Sequence, residues 1–178
     1  MPAGFRSVSF RNKVALWLLA GCLLAGALPA ATSNPRLLED RMTIQMDKGN
    51  IVIQLSPKAA PRTVARVVEL IQKKFYDGLT FHRVEPNFVV QGGDPKGDGT
   101  GGSGVKLKAE FNSKRHVTGT VSLARSSDPD SADSQFFICL SPQPYLDGKY
   151  TVIGQVISGM DVVRRIQRGD VMRHVTIQ

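Results

Sequence analysis

Cysteine is scarce in this 178-residue chain, which contains only Cys22 and Cys139. Cys22 lies in an N-terminal segment that we predict to be removed, so Cys139 alone would remain and an internal disulfide is excluded. His82, His116 and His174 lie far apart and form no recognisable zinc spacing with Cys139. The sequence therefore argues against a disulfide scaffold and against a structural zinc site.

Nucleotide and hydrolase signatures are also missing. The chain has no G-x-S-x-G and no G-K-[ST] motif. Residues 97–102 fit G-x-G-x-x-G, but residues 103–106 are a poor start for the helix that dinucleotide binding requires. Asp128, Asp130 and Asp133 depart from the calcium-loop order, because Ala132 takes the fifth position and no glycine follows it. We therefore expect no metal and no cofactor.

One long apolar run is present, and it lies near the N-terminus. The 15 uncharged residues 14–28 follow Arg6, Arg11 and Lys13, and precede the small residues of 29–33. A run of this length is too short for a comfortable bilayer span and is typical of a secretory signal peptide. We predict a signal peptide over residues 1–30, a linker over 31–41, and a periplasmic location for the remaining chain.

Two alternatives stay open for this segment. It could remain as an uncleaved anchor, or residues 19–22 could act as a lipobox, with a lipid on Cys22 as the membrane attachment. The apolar residues 23–28 argue against the lipobox, because a lipoprotein usually continues into a polar linker. Apart from the signal peptide or such a lipid, we expect no membrane contact.

The charge balance is mildly basic. Lys and Arg exceed Asp and Glu by 23 to 15, and the first 30 residues hold three of the positive charges and no negative one, which leaves about +5. The positive residues are not clustered along one helix, as a nucleic-acid footprint would require. We therefore expect no nucleic-acid partner.

The rest of the chain reads as one ordinary folded domain, residues 42–178, with 42% hydrophobic and 21% charged residues. Alternating and apolar segments predict about eight strands, and apolar spacing predicts two helices. The strands are expected at 42–46, 51–55, 80–84, 88–91, 119–124, 135–140, 151–156 and 171–177, and the helices from Pro61 towards a 76–78 turn and at 161–167. Few strand–helix–strand crossovers occur, so an antiparallel sheet or closed barrel is favoured.

Polar side chains interrupt three of the apolar strands. Arg83 lies in the third predicted strand, Gln91 ends the next, and Gln135 precedes an apolar run. A cation in such a strand is costly without a partner. Arg83 could form an ordinary ion pair with Glu85 or Glu110, and the glutamines could bind loop backbone. Alternatively, the three side chains could form a site for a partly apolar peptide.

Three segments carry a family resemblance: FHRVEPNFVVQGGD at 81–94, SQFFIC at 134–139 and LDGK at 146–149. Together they resemble the cyclophilin family of peptidyl-prolyl cis-trans isomerases, in its bacterial exported branch, over the whole domain. The resemblance implies a mainly β fold, an eight-stranded antiparallel closed β-barrel capped by two α-helices. It also implies an enzyme that accelerates rotation about X-Pro bonds.

The site residues follow from this resemblance by position. Arg83, Phe88 and Gln91 resemble the catalytic set, with Arg83 stabilising the twisted amide. The substrate-binding positions are Val89, Ala124, Arg125, Gln135, Phe137, Tyr145, Leu146 and Tyr150. Four of these positions depart from residues common in the family. Val89 stands for methionine and Tyr150 for histidine, while Arg125 and Tyr145 stand where eukaryotic members often have asparagine and tryptophan.

The expected partners are proline-containing segments of unfolded or folding exported proteins, bound by a monomer. The alternative function is a non-catalytic module that binds proline peptides as a chaperone. An exported nucleotide-binding domain is a more distant alternative.

Overall fold

The computed structural model describes residues 41–178, so the predicted signal peptide, Cys22 and nearly all of the predicted linker lie outside the described residues. Two short 3-10 helices, Pro129–Ser131 and Pro144–Leu146, accompany the regular elements. The strands are β1 Arg41–Met46, β2 Gly49–Leu55, β3 Arg83–Glu85, β4 Val89–Gly92, β5 Thr120–Leu123, β6 Phe136–Cys139, β7 Val152–Ser158 and β8 His174–Ile177, and the helices are α1 Pro61–Gln72 and α2 Met160–Arg164.

One antiparallel sheet contains all eight strands, in the order β3-β4-β6-β5-β7-β2-β1-β8. A turn at Asp47 and Lys48 joins β1 and β2 in a hairpin, with Met46 opposite Gly49. Alternation along these strands sends Ile44, Ile51 and Ile53 into the core, where each is fully buried. Local pattern and tertiary burial agree in this part of the chain.

The closed barrel is not confirmed, because the sheet is open. β3 and β8 are its two ends, and they do not pair with each other. The segments just before them are linked instead: the Phe81 N–H donates to the Asp170 carbonyl at 2.9 Å and the Met172 N–H to the Leu79 carbonyl at 2.8 Å. Only one isolated bridge, Thr80 to Val171, forms between these two segments. Strand number suggested closure, but closure depends on the register of the end strands, which a strand count does not contain.

Both helices are shorter than predicted. α1 begins at Pro61 as expected, but it ends at Gln72, because Lys74 adopts φ 57° and turns the chain out of the helix. α2 begins after Gly159, whose φ of 88° suits glycine, and it ends at Arg164. Within residues 41–178, no helix is both long enough and apolar enough to cross a bilayer.

The N-terminus of α1 is capped from a distance. Ala60 offers no capping side chain, and the mostly buried carboxylate of Glu110 accepts hydrogen bonds from the backbone N–H groups of Arg62 and Thr63, at 3.2 and 2.8 Å. The Thr63 hydroxyl and the Arg62 Nε donate to it as well, at 2.7 and 3.0 Å. This contact occupies Glu110, which was one of the two candidate partners for Arg83.

Replacing Glu110 with glutamine should lower the free energy of unfolding at pH 7 by about 1 kcal/mol, because a charged cap is lost. Burial would raise the pKa of Glu110, but the hydrogen bonds from Thr63 and Arg62 hold it below its ordinary value of 4.5. A lowered folded-state pKa gives stability that is present above about pH 4.5 and is lost as the pH falls through the folded pKa. The stability difference between parent and variant should therefore shrink below about pH 4.5 in thermal unfolding curves.

Asp161→Asn is the matched control, since Asp161 is a largely exposed carboxylate paired with Arg165. That variant should leave the melting temperature nearly unchanged at every pH. A Glu110→Gln variant as stable as the parent at pH 7 would contradict the capping role.

Candidate active site

Strand register aligns the predicted catalytic side chains. Arg83 of β3 lies opposite Gln91 of β4, and Gln91 lies opposite Phe137 of β6. On the far side of β6, Phe137 lies opposite Ser122 of β5. Residues that are opposite in adjacent strands lie on the same face of a sheet, so these four positions form a row across four strands. Two amide-bearing segments that are 44 residues apart thus meet in one site.

A pocket of about 120 Å³ opens along this row, and we call it the proline pocket after the ring that the family resemblance predicts it would hold. Val89, Phe137 and Leu146 are buried apolar walls, and Cys139 packs with them in the same cluster. Burial raises the pKa of the Cys139 thiol to about 12, so it stays neutral and serves as an apolar group. The pocket is lined by nine residues, all of them predicted: Arg83, Phe88, Val89, Gln91, Ala124, Arg125, Phe137, Leu146 and Tyr150.

Arg83 lies at the edge of this pocket with a partly exposed side chain. Its Nη1 donates to Gln91 Oε1 at 3.3 Å, and its guanidinium carbon lies 5.6 Å from the centre of the Phe88 ring. Glu85 approaches the guanidinium at 3.6 Å, so it is the nearby one of the two candidate partners. Both side chains of that ion pair are about half exposed, at 44% and 50%, which makes the pair a weak one.

A chain of hydrogen-bonded side-chain amides continues from Arg83 into the glycine-rich loop that follows β4. Gln91 Nε2 donates to Gln135 Oε1 at 2.9 Å, and Gln135 Nε2 donates to the carbonyls of Gly99 and Gly101 at 3.0 and 2.8 Å. The expectation that a glutamine binds loop backbone is therefore correct for Gln135. The same amide also bonds to Gln91, which in turn bonds to Arg83, so binding loop backbone does not remove Gln135 from the candidate site.

Replacing Gln135 with alanine should raise KM for a proline peptide by up to about tenfold, because Gln91 and two loop carbonyls lose their partner. Amide hydrogen exchange in the loop should become faster. Gln155→Ala is a suitable control: Gln155 also bonds loop backbone, at the Thr118 carbonyl, but it lies outside the pocket. If the Gln135 variant kept both the parent KM and the parent rate of amide hydrogen exchange in the loop, the hydrogen bonds of Gln135 would have no role in the site.

The remaining predicted positions form the rim and a neighbouring pocket. Tyr145 does not line the proline pocket; it is 57% exposed and stacks on Phe88, with ring centres 6.1 Å apart. Arg125 lies over the Tyr150 ring at 4.7 Å and is held there by bonds to backbone carbonyls. Gln135 lines an adjoining pocket of about 370 Å³, which shares Gln91, Ala124 and Arg125 with the proline pocket.

A buried Asp–His–Ser relay supports the pocket from below, and sequence reasoning missed it. His116 Nδ1 lies 2.9 Å from Asp147 Oδ1, and its Nε2 lies 2.9 Å from Ser122 Oγ. The His116 ring is stacked with the Phe137 ring, with centres 6.1 Å apart and 18° between planes. It also meets Tyr150 edge-on at 6.5 Å. Nothing in the spacing of these residues predicts their meeting, since it depends on strand register.

The relay has the composition of a hydrolase triad, but Ser122 and the His116 side chain are both fully buried. The backbone N–H and the ring of His116 both bond to Asp147 and lower its carboxyl pKa below the ordinary value. The carboxylate is therefore the acceptor, which places a proton on Nδ1, and in the neutral imidazole Nε2 then accepts from the Ser122 hydroxyl. The serine proton thus points at histidine inside the protein, and no substrate reaches it; the relay is structural.

Comparison with known sequences decides the family. The family described as cyclophilin type peptidyl-prolyl cis-trans isomerase/CLD matches residues 41–178, the whole of the described chain. The chain belongs to this family. Its relatives bear the corresponding activity in their names, and the chain is a peptidyl-prolyl cis-trans isomerase.

Bacterial relatives are among the similar proteins. Peptidyl-prolyl cis-trans isomerase B of Bacillus subtilis is 47% identical over 134 residues, which are 74% of this chain and 93% of the relative. A probable peptidyl-prolyl cis-trans isomerase of Brucella suis is 38% identical over 171 residues, which are 89% of this chain and 86% of the relative.

Solved cyclophilin structures share the fold. A Cryptosporidium parvum cyclophilin type isomerase, crystallised in the presence of the dipeptide Ala-Pro, has a TM-score of 0.72 at 25% identity, covering 78% of this chain and 98% of its own. The cyclophilin AquaCyp293 of Hirschia baltica has a TM-score of 0.71 at 23% identity, covering 78% of this chain and 74% of its own.

Proposed function

We propose that this cyclophilin accelerates X-Pro rotation in exported proteins by holding the proline ring in the apolar pocket while Arg83 stabilises the twisted amide. The observation that carries the proposal is the juxtaposition of a guanidinium and an apolar pocket that share one strand register. Partial double-bond character in the amide imposes a barrier of about 18–20 kcal/mol, so the uncatalysed rotation takes tens of seconds or longer.

The reaction breaks no covalent bond, so the enzyme needs only to bind the twisted form more tightly than the planar forms. When the amide twists, the prolyl nitrogen regains its lone pair and can accept a hydrogen bond. The Arg83 guanidinium has five N–H donors, is charged at every relevant pH, and uses one donor on Gln91. In this scheme a guanidinium donor that is not bound to Gln91 donates to the amide, whose proline ring is held between Phe88, Phe137 and Leu146.

Gln91 has two roles in this scheme. Its Oε1 orients the guanidinium, and its Nε2 is directed to Gln135. The adjoining 370 Å³ pocket, which Gln135 lines, lies where residues flanking the proline would continue along the groove. Tyr145, stacked on Phe88 at the exposed rim, offers an aromatic surface to the same peptide.

The proposal is tested by isomerisation of a single-proline peptide, followed by NMR exchange, with catalytic amounts of the chain from about Thr32 onwards. Exchange should accelerate in proportion to enzyme concentration and should be blocked by a competing proline peptide. Saturable peptide binding without accelerated exchange would instead favour the non-catalytic chaperone module.

The exported role is a separate part of the proposal. It rests on the signal-like residues 1–30, and it places the enzyme in the periplasm, acting as a monomer on proline-containing segments of folding proteins. Cell fractionation and N-terminal sequencing of the mature chain test it. A mature chain that begins at Cys22 would show lipid anchoring, and an intact N-terminus in the cytoplasm would contradict export.

A further inference from the structure

A second polar pocket, of about 300 Å³, adjoins the proline pocket at Arg83 and Gln91, and we call it the Arg168 pocket. Because the two pockets share these residues, a residue next to a proline held in one pocket is within reach of the other. Besides the two shared residues, the pocket is lined by His82, Val84, Glu85, Asp98, Gly99 and Arg168.

His82 forms the floor of this pocket, and its buried ring is unusual in lacking hydrogen-bond partners within residues 41–178. The residue is only 7% exposed, and neither ring nitrogen has a hydrogen-bond partner among the described residues. Desolvation by burial lowers the pKa of His82 below its ordinary value, against the opposing effect of Asp94, so the ring is neutral at neutral pH. A buried polar group without a partner is costly, and in native proteins it often marks the position of a ligand or water. The mechanism above makes no use of His82.

Some of the charged groups around the pocket already have hydrogen-bond partners, and one has none in residues 41–178. Arg83 bonds to Gln91, and the Asp98 carboxylate accepts from the N–H and hydroxyl of Thr100 at 2.8 and 2.7 Å. Arg168 is exposed and makes no hydrogen bond or ion pair with any residue in 41–178. The groups of the pocket that still lack a partner in residues 41–178 are therefore the Arg168 guanidinium at the rim and the His82 ring at the floor.

We propose that the Arg168 pocket is a substrate subsite for an acidic side chain near the proline, with its carboxylate bound to Arg168 above His82. The proposal rests on the proposed function, since it assumes that a proline occupies the adjoining pocket. A volume of about 300 Å³ accommodates a single glutamate side chain. The carboxylates of Glu85 and Asp98 at the same rim would repel a doubly charged phosphate more strongly than a singly charged carboxylate.

The test is a set of proline peptides in which one glutamate occupies each of the two positions before and the two positions after the X-Pro pair. Glutamine at the same position is the matched comparison. At one of these positions, kcat/KM should be about three- to fivefold higher for glutamate than for glutamine at low salt, the size of a partly exposed ion pair. The ratio should fall towards one with added salt and in Arg168→Gln.

Two variants separate this subsite from general charge attraction. Arg164→Gln removes an exposed arginine of α2 that lies outside the pocket, and Lys106→Gln removes the lysine of the other adjoining pocket. Both should keep the glutamate preference. His82 has its own readout: its ring nitrogen resonances should shift when the glutamate peptide is titrated, and much less with the glutamine peptide.

Each outcome separates the subsite from the isomerase mechanism. A preference that survives Arg168→Gln, or that is lost equally in Arg164→Gln, overturns the subsite, as does the absence of any preference. Unshifted His82 resonances overturn its place at the floor. Turnover of the glutamine peptides tests the proposed function independently, so rapid turnover without glutamate preference contradicts the subsite alone.

Discussion

Replacing Arg83 with alanine should lower kcat/KM for a proline peptide by about 10²- to 10³-fold, the loss expected when a preorganised donor to the transition state is removed. The melting temperature should change little. The side chain is 44% exposed, and its contacts are a 3.3 Å hydrogen bond to Gln91, a 3.6 Å approach to Glu85 and the Phe88 ring at 5.6 Å. Exposed pairs of this kind contribute about 1 kcal/mol or less to the free energy of unfolding. Isomerisation rates and thermal unfolding of parent and variant measure the two effects.

Two further variants isolate what the guanidinium contributes. Arg83→Lys keeps the positive charge but loses the planar fork of donors, so it should recover only a small part of the activity. Arg165→Ala removes another half-exposed arginine, one with a 3.2 Å contact to Asp161, and should affect neither turnover nor stability appreciably. If Arg83→Ala lost stability and activity together, Arg83 would be a structural ion-pair residue, and the transition-state role would fail.

Replacing His116 with alanine should lower the free energy of unfolding by about 3 kcal/mol, because a fully buried ring is deleted and the Ser122 hydroxyl loses its acceptor. The Phe137 ring loses the imidazole stacked against it and Tyr150 loses an edge contact. We expect KM for a proline peptide to rise about tenfold, because the pocket wall becomes mobile. Denaturant unfolding and steady-state kinetics, both at a temperature where the variant is folded, measure these changes.

His174→Ala is the matched control, since His174 is 68% exposed and its ring contacts Asp77 at 3.2 Å. It should leave the kinetics unchanged. Ser122→Ala removes only the hydroxyl at the end of the relay and should have an intermediate effect on both quantities. A His116→Ala variant that unfolds more easily but keeps the parent KM would show that the relay serves stability alone, without holding Phe137 for the substrate.

Local chemistry predicted several elements because their causes are local. Pro61 begins α1, since a residue without an N–H costs nothing in the first turn of a helix. Asp47 and Lys48 turn the first hairpin, and the glycine-rich residues 97–104 form a loop with no helix after them. The apolar side chains that α1 buries, Val64, Val67, Leu70 and Ile71, recur at the three- and four-residue spacing of a helix face.

Most residues of the candidate site could also be predicted from the sequence, but the prediction came from family resemblance more than from physical chemistry. Alternation along a strand puts Gln91 on the face of Val89, and Gln135 on the face of Phe137. It did not show that these two faces belong to one site, which follows from the register of β4 against β6. Cys139 is similar: it lies in an apolar segment of the sequence, but only the fold shows that it packs against Val89, Phe137 and Leu146.

The sequence by itself determined where most strands and both helices lie, the mainly β class, and the family, because hydrophobic period, turn residues and motif order are properties of short segments. Tertiary structure alone decided that the sheet is open between β3 and β8, that Glu110 caps α1, and that Asp147, His116 and Ser122 meet beneath Phe137. It also decided that the ring nitrogens of His82 are buried beside Arg168 without a hydrogen-bond partner in residues 41–178. Each of these depends on pairing between residues distant in the chain, and such pairing is fixed by packing and register that no local pattern encodes.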